Sequence, residues 1–196
     1  MKQKGRFQRK LGERRYKKLF VIASEGEKTE PMYFNRFNRG ELIVKIKCLK
    51  NEHNSAPPRV LNRLKEYLKI ESLRKTDEAW LVIDKDRWTD EQLKPLVAWA
   101  KTKVNYGFAL SNPNFEYWQL LHFEDGAGVS SVRDCRERLS KYIPDCGKAS
   151  PAKIFTEENI INAISRAKAK DNPPCIDWPH TYGSTVYRLV EKIFNN

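Results

Sequence analysis

Acidic and amide side chains cluster at three places in the chain, each directly after a short apolar stretch. The clusters are Ser24-Glu25-Gly26-Glu27-Lys28-Thr29-Glu30, then Asp84-Lys85-Asp86-Arg87, then Ser111-Asn112-Pro113-Asn114-Phe115-Glu116. Side-chain oxygens at this density suit Mg²⁺ or Mn²⁺, which prefer hard oxygen ligands. The sequence therefore predicts that Glu25, Asp84 and Asp86 bind a divalent cation and that Glu116 lies beside them.

The pair Asp84 and Asp86 has two interpretations. If the preceding strand continues through both residues, their carboxylates point to the same side, and a bound cation would relieve their mutual repulsion. Alternatively, they are two acids that flank Lys85 in a surface turn, which needs no metal. Their position directly after an apolar strand, opposite Glu25, favours the metal site.

Basic and amide residues near the acids are candidates for phosphate contacts. Gly26 can adopt the positive φ of a tight turn, and Lys28 stands at the start of a helix, where phosphate binds well. The other candidates for binding phosphate or nucleic acid are Lys85, Arg87, Asn112, Asn114, Arg14, Arg15 and Lys17. A Walker A loop is not expected, because Glu27 stands where that motif requires glycine directly before the lysine.

Glu116 and His122 lie in a segment that is apolar nearly all round and is therefore predicted to be a buried helix. A buried carboxylate is costly unless it is paired with a base or a metal, so Glu116 is either an ion-pair partner or part of the site. His122 is a secondary candidate, since a histidine in an apolar helix is usually hydrogen-bonded within the core. Glu30 is the other secondary candidate for the site.

Apolar runs that alternate with amphipathic segments predict an α/β fold: a mostly parallel sheet with helices on both faces, and a helical C-terminal third. We predict strands at 19–23, 42–49, 79–83 and 106–110, and helices from about 29 and at 57–73, 93–100, 113–123, 130–142, 157–170 and 184–194. Asn112 is expected to cap a helix that has Pro113 at its first position. Because active sites in such sheets lie beyond the carboxyl ends of the strands, the three polar clusters should meet at one rim.

The positive charge of the chain, +12 over 196 residues, is concentrated at its start. Residues 1–18 contain nine lysines and arginines against one acid, Glu13. Such a segment attracts polyanions by releasing their condensed counterions, although a solvated tail also simply aids solubility. We therefore divide the chain into a basic tail, 1–17, and a single domain, 18–196.

Several classes of protein are not expected from this composition. The four cysteines show no CxxC spacing and the three histidines supply no paired ligands, which argues against a zinc site. No apolar run approaches the roughly 18 residues of a membrane span, and Leu19 to Ala23 is too short for a signal peptide. The expectation is a cytoplasmic protein without membrane contact.

Three strings of the sequence resemble motifs of the RloB-like family. These are Ser24-Glu25-Gly26-Glu27-Lys28-Thr29-Glu30-Pro31 with Tyr33 and Phe34, then Trp80 to Trp88 around Asp84-Lys85-Asp86, then Ser111-Asn112-Pro113-Asn114-Phe115-Glu116 to Phe123. Ser184-Thr185 followed by Leu189-Val190 resembles the closing motif. The resemblance extends from about residue 18 to residue 194 and leaves only the basic tail outside.

This resemblance implies a Toprim-like fold, in which a glutamate after the first strand and an Asp-x-Asp after a later strand carry metal-dependent chemistry. Glu25 takes the first role, as a metal ligand or as a general base, and Asp84 and Asp86 take the second. The resemblance further implies a Mg²⁺-dependent nuclease of anti-phage defence and abortive infection, which cleaves RNA such as tRNA rather than DNA, often beside an ATPase partner. The alternative is a non-catalytic nucleic-acid-binding or regulatory subunit of an ATPase-containing defence complex.

Overall fold

Four parallel strands and one short antiparallel strand form the sheet. The structure is a computed structural model that describes residues 17–39, 43–51, 56–144 and 154–195. The strands are β1 (Lys18–Ser24), β2 (Val44–Cys48), β3 (Glu78–Asp84), β4 (Tyr106–Asn112) and β5 (Gly183–Ser184). Their order across the sheet is β2-β1-β3-β4-β5, and only β5 runs antiparallel to its neighbour.

The helices lie between the strands and after them, as the amphipathic segments predict. They are α1 (Thr29–Asn35) with a 3-10 turn (Arg36–Arg39), α2 (Pro57–Ile70), α3 (Asp90–Ala100), α4 (Phe115–Leu120), α5 (Val132–Ser140), α6 (Glu157–Lys170) and α7 (Val186–Phe194). Within the described ranges, none of these helices has the length and apolar character needed to cross a membrane. The division into a tail and one domain stays a prediction, and residues 1–16 of the tail lie outside the described ranges.

The sheet separates two apolar cores, because side chains alternate between its faces along each strand. In β1, Phe20 and Ile22 contribute to one core, and Val21 and Ala23 contribute to the other. Helices α2 and α3 cover the second core, whereas α1 and α4 to α7 cover the first. This arrangement confirms the predicted α/β class with helices on both faces.

The strand order creates a crevice at the carboxyl end of the sheet. Strand β1 is an inner strand, and it pairs with β2 on one side and with β3 on the other. The connection after β1 leads to β2 on one side of β1, and the connection after β2 leads to β3 on the other side. Ligands of parallel sheets bind where successive connections lead to opposite sides in this way. Glu25 directly follows β1, and Asp84 ends β3, so the two acids stand at the crevice.

The predicted helix cap at Asn112 is wrong. Asn112 is the last residue of β4 and pairs with Gly183 of β5, and its Nδ2 donates to the carbonyl of Pro179 over 3.0 Å. Pairing with β5 keeps the backbone extended, so that α4 begins only at Phe115, with Asn114 at its N-cap. Helix α4 also ends at Leu120, three residues earlier than the sequence predicts.

Candidate functional site

A pocket of about 360 Å³ lies in the crevice at the carboxyl end of the sheet. Five acidic residues from three separate parts of the sequence line it together: Glu25, Glu27, Glu30, Asp84 and Glu116. They come from the loop after β1, from α1, from the end of β3 and from α4. The three polar clusters of the sequence therefore do meet at one rim.

Asp84 has the least favourable environment of these acids. Its Oδ1 is buried and has no hydrogen-bond partner within the described part of the chain. Burial raises the pKa of Asp84 well above its usual range, and the nearby charges of Glu30, Glu25, Glu116 and Asp86 raise it further. An ionised carboxylate in such a position destabilises the fold unless it gains a proton or a cation.

Glu25 is held in a defined orientation by its neighbours. The indole Nε1 of Trp88 donates to both carboxylate oxygens of Glu25, over 3.1 and 2.9 Å, and the backbone N–H of Asp84 donates over 3.4 Å. Burial raises the pKa of Glu25, while these hydrogen bonds and the charge of Arg87 oppose the rise. Trp88 thus orients the carboxylate, a role that its sequence position did not indicate.

Glu30, a secondary candidate in the sequence, is a buried part of the pocket. Its residue exposure is 4%, and its Oε1 accepts a hydrogen bond from the backbone N–H of Gly26 over 2.7 Å. Burial raises the pKa of Glu30 to about 7, and the charges of Glu116 and Glu25 contribute to the rise. Helix α1 therefore places a second glutamate beside Asp84.

Gly26 is required for a different reason from the one predicted. The glycines with positive φ in the described ranges are Gly126 and Gly128, so the expected left-handed conformation of Gly26 is wrong. Instead, a Cβ atom at Gly26 would lie only 2.0 Å from Oε2 of Glu30. The missing side chain lets the Glu30 carboxylate approach the backbone closely.

A half-buried pair of side chains that the sequence did not reveal, Arg63 and Asn51, braces the loop after β1. Arg63 of α2 donates from Nη2 to the carbonyl of Ser24 over 2.6 Å and from Nη1 to Oδ1 of Asn51 over 2.9 Å. Asn51 in turn donates from Nδ2 to the carbonyl of Glu25 over 2.6 Å. Arg63 carried no detectable signal, because an arginine on the polar side of an amphipathic helix usually faces solvent.

Asp86 does not share the orientation of Asp84, because β3 ends at Asp84. Backbone hydrogen bonds from Lys85 to Ser111 and from Asp86 to Pro113, each 2.8 Å long, turn the chain there. Asp86 is exposed, with a φ of 24°. The prediction that β3 continues through Asp86, so that both carboxylates point to the same side, is therefore wrong. The charge of Asp86 still raises the pKa of Asp84 and of Glu25.

Glu116 is both an ion-pair partner and part of the site, the two roles that the sequence left open. Its carboxylate lines the pocket, and its Oε1 lies 3.5 Å from Nη2 of Arg136 in α5. Because the Arg136 side chain is 63% exposed, this ion pair contributes little stability. Glu116 is therefore both a wall of the pocket and a weak ion-pair partner.

The predicted phosphate contacts fall into separate groups. Lys85 donates to the Trp88 carbonyl over 2.6 Å and lies 3.2 Å from Asp90, so its ammonium is already bound. Lys17 and Lys28 are exposed, and Arg87 lies 4.0 Å from Glu25. Arg14 and Arg15 lie outside the described ranges. Asn114 is buried, and its Oδ1 has no hydrogen-bond partner among the described residues.

His122 and Tyr33 belong to the core and not to the pocket. Nδ1 of His122 lies 3.0 Å from the Trp118 carbonyl, which can only accept, so Nδ1 carries the proton and Nε2 accepts from the Tyr33 hydroxyl over 3.1 Å. Burial lowers the pKa of His122 to about 3. The histidine is therefore a neutral structural residue, and Tyr33, also buried, packs in the same core.

The side chains that line the pocket offer carboxylate oxygens, which are the type of ligand that a hard cation prefers. Within the described ranges, no three acidic, histidine or cysteine side chains are already arranged as a complete ligand set. However, the buried Oδ1 of Asp84 has no partner, and the nearby carboxylates of Glu25 and Glu30 are held by N–H donors that a cation can replace. Oxygen donors of this kind suit Mg²⁺ or Mn²⁺.

Comparison with known proteins identifies the chain by its family. The model of the family described as RloB-like protein matches residues 20–193. A search of curated proteins and a search of solved structures gave no match. Since the family match spans far more than half of the 196 residues, the chain belongs to the RloB-like protein family.

Proposed function

We propose that this protein is a divalent-metal-dependent nuclease that hydrolyses phosphodiester bonds, with RNA such as tRNA favoured over DNA. The observation that carries the proposal is the buried Oδ1 of Asp84, which lacks a hydrogen-bond partner while the carboxylates of Glu25, Glu30 and Glu116 surround it. A protein keeps such an unfavourable group mainly where a function requires it. A divalent cation is the ligand that offsets this concentration of negative charge.

Asp84 would be the central ligand of the cation. Glu25, Glu30 and Glu116 would lie around the cation, and Asp86 would lie near the exposed side of the pocket. When bound there, Mg²⁺ or Mn²⁺ would polarise the scissile phosphate and lower the pKa of a water molecule. The Trp88 indole keeps the Glu25 carboxylate in one orientation, so that Glu25 can accept the proton of the attacking water. The brace of Arg63 and Asn51 holds the backbone of Glu25 in place.

The Toprim-like fold, the cytoplasmic location, the role in anti-phage defence and the ATPase partner belong to the same proposal. The fold, the defence role and the partner are supported by the resemblance of the three motifs, and the fold also by acids that follow β1 and end β3 on neighbouring strands. A second candidate function is a non-catalytic nucleic-acid-binding or regulatory subunit of a defence complex. It is favoured by the contacts of Glu25 and Glu116 with Arg87 and Arg136, which partly neutralise both acids without a metal.

The cleavage test uses the full chain with labelled tRNA, single-stranded RNA and DNA, with Mg²⁺ or with EDTA. We expect RNA cleavage in Mg²⁺, none in EDTA, and recovery when Mn²⁺ is added in excess, because the proposed mechanism needs a cation to polarise the phosphate and to lower the pKa of the attacking water. Asp90→Asn is a suitable control, since Asp90 pairs with Lys85 outside the pocket. Cleavage that continues in EDTA would contradict the metal mechanism, whereas metal-independent binding without cleavage would support the second candidate.

Gly26→Ala should weaken Mn²⁺ binding by about tenfold or more with little loss of stability, because one displaced ligand costs on the order of 1.4 kcal/mol. The new Cβ would occupy the position of the Glu30 carboxylate, which must then move out of the pocket. Titration calorimetry with Mn²⁺ measures the effect. Glu30→Gln is the matched control. If the loss of affinity in Gly26→Ala arises from displacement of Glu30, the double variant Gly26→Ala/Glu30→Gln binds Mn²⁺ no more weakly than Glu30→Gln alone.

A further inference from the structure

We infer that Arg87 and Arg136 form a phosphate clamp on two sides of the carboxylate pocket, which binds the backbone of a nucleic acid strand that crosses it. The inference rests on the proposed function and adds to it the groups that bind substrate. Arg136 was not among the phosphate contacts expected from the sequence. Both arginines come from segments outside the pocket wall, the turn after β3 and helix α5.

Each arginine contacts one of the acids that line the pocket, through a weak interaction. Nη2 of Arg87 lies 4.0 Å from Oε1 of Glu25, and Nη2 of Arg136 lies 3.5 Å from Oε1 of Glu116. The two arginine side chains are 64% and 63% exposed. Ion pairs at these distances with so exposed an arginine contribute little to stability, so the guanidinium groups can exchange partners at little cost.

The exposed side of Arg87 is positioned by an aromatic ring. Its guanidinium carbon lies 4.9 Å from the centroid of the Trp88 ring, and the same indole donates its N–H to Glu25. Stacking on the ring limits the directions that the guanidinium can adopt. Arg87 is therefore kept near the pocket without being bound tightly to any one acid.

A cation in the pocket would change the partners of both arginines. Without it, the acidic pocket repels a phosphodiester backbone, and the arginines partly neutralise Glu25 and Glu116. When a cation takes over the charge of those carboxylates, the guanidinium groups are available to phosphate oxygens, which match their planar donor geometry. Binding of the strand and of the cation should therefore be coupled, each strengthening the other.

The test measures binding of a fluorescent, single-stranded phosphorothioate oligonucleotide by anisotropy, across a range of KCl concentrations, with Mn²⁺ or with EDTA. In Mn²⁺, Arg136→Gln should weaken binding by about tenfold and reduce the slope of log affinity against log salt by about 0.7. Arg87→Gln should act in the same direction. In EDTA, the difference between each variant and the wild type should largely disappear.

Arg133→Gln is the matched control, because Arg133 lies on the same helix, is 87% exposed and pairs with Glu137 of that helix at 2.7 Å. Arg136→Lys, which keeps the charge, should restore the salt slope but only part of the affinity. The clamp is overturned if Arg136→Gln and Arg133→Gln behave alike in Mn²⁺ while the wild type still cuts RNA. Conversely, if the wild type cuts no RNA but Arg136→Gln still weakens oligonucleotide binding only in Mn²⁺, the clamp is supported and the proposed nuclease activity is contradicted.

Discussion

Asp84→Asn is expected to abolish Mg²⁺-dependent cleavage and at the same time to make the metal-free protein more stable. The substitution keeps the shape of the side chain but removes a buried acid, which has no hydrogen-bond partner on Oδ1, lies among other acids and is costly to ionise. Relief of that cost should add about 2 kcal/mol to the free energy of unfolding near neutral pH. For a chain of this size, the melting temperature should rise by about 4–8 °C.

The loss of cleavage should be at least about a hundredfold, since the central oxygen donor for the cation is gone. Calorimetry in EDTA and the cleavage assay in Mg²⁺ measure the two effects on the same preparation. Asp86→Asn is the control for stability: Asp86 is exposed, and asparagine tolerates its positive φ, so the melting temperature should hardly change. If Asp84→Asn instead lowers the melting temperature in EDTA, Asp84 is a structural residue and not a strained ligand.

The metal-free protein should lose stability as the pH rises from about 4.5 to about 7. The pKa of Glu30 is raised from its ordinary value of 4.5 to about 7 by burial and by Glu116 and Glu25. The folded state therefore binds more protons than the unfolded chain in this interval, and its stability falls as they are released. For Glu30 alone, a pKa raised by about 2.5 amounts to about 3 kcal/mol, and Asp84 and Glu25 act in the same direction.

Divalent cations should reverse this trend, because the ionised carboxylates are the form that binds them. Near pH 8, Mg²⁺ at about a hundred times its dissociation constant should restore about 2.7 kcal/mol, whereas near pH 5 protons compete and the gain should be small. Thermal unfolding of the wild type and of Glu30→Gln, with Mg²⁺ and with EDTA, measures both effects. A stability difference between the two proteins in EDTA that stays constant between about pH 5 and about pH 8 would show that Glu30 does not titrate in this way.

Much of the architecture could be predicted from local patterns, because they report on burial along one element. Apolar runs located β1 to β4 within about two residues, and apolar periodicity located α6 at its observed ends. Strand β5 escaped prediction, since its two residues are too short to show a period. It is also the element that keeps Asn112 extended and removes it from the predicted helix cap.

The sequence by itself determined that the acids after β1 and at the end of β3 lie at the carboxyl edge of a parallel sheet. That β1 and β3 are neighbours, and that Glu30 lines the pocket while Asp86 does not, depended on the tertiary structure. Only the tertiary structure decided how each carboxylate is held. The turn after Asp84 directs Asp86 towards solvent, Gly26 admits the Glu30 carboxylate, and Trp88 orients Glu25. These outcomes depend on contacts between segments far apart in the chain, and such contacts leave no periodic signal in either segment.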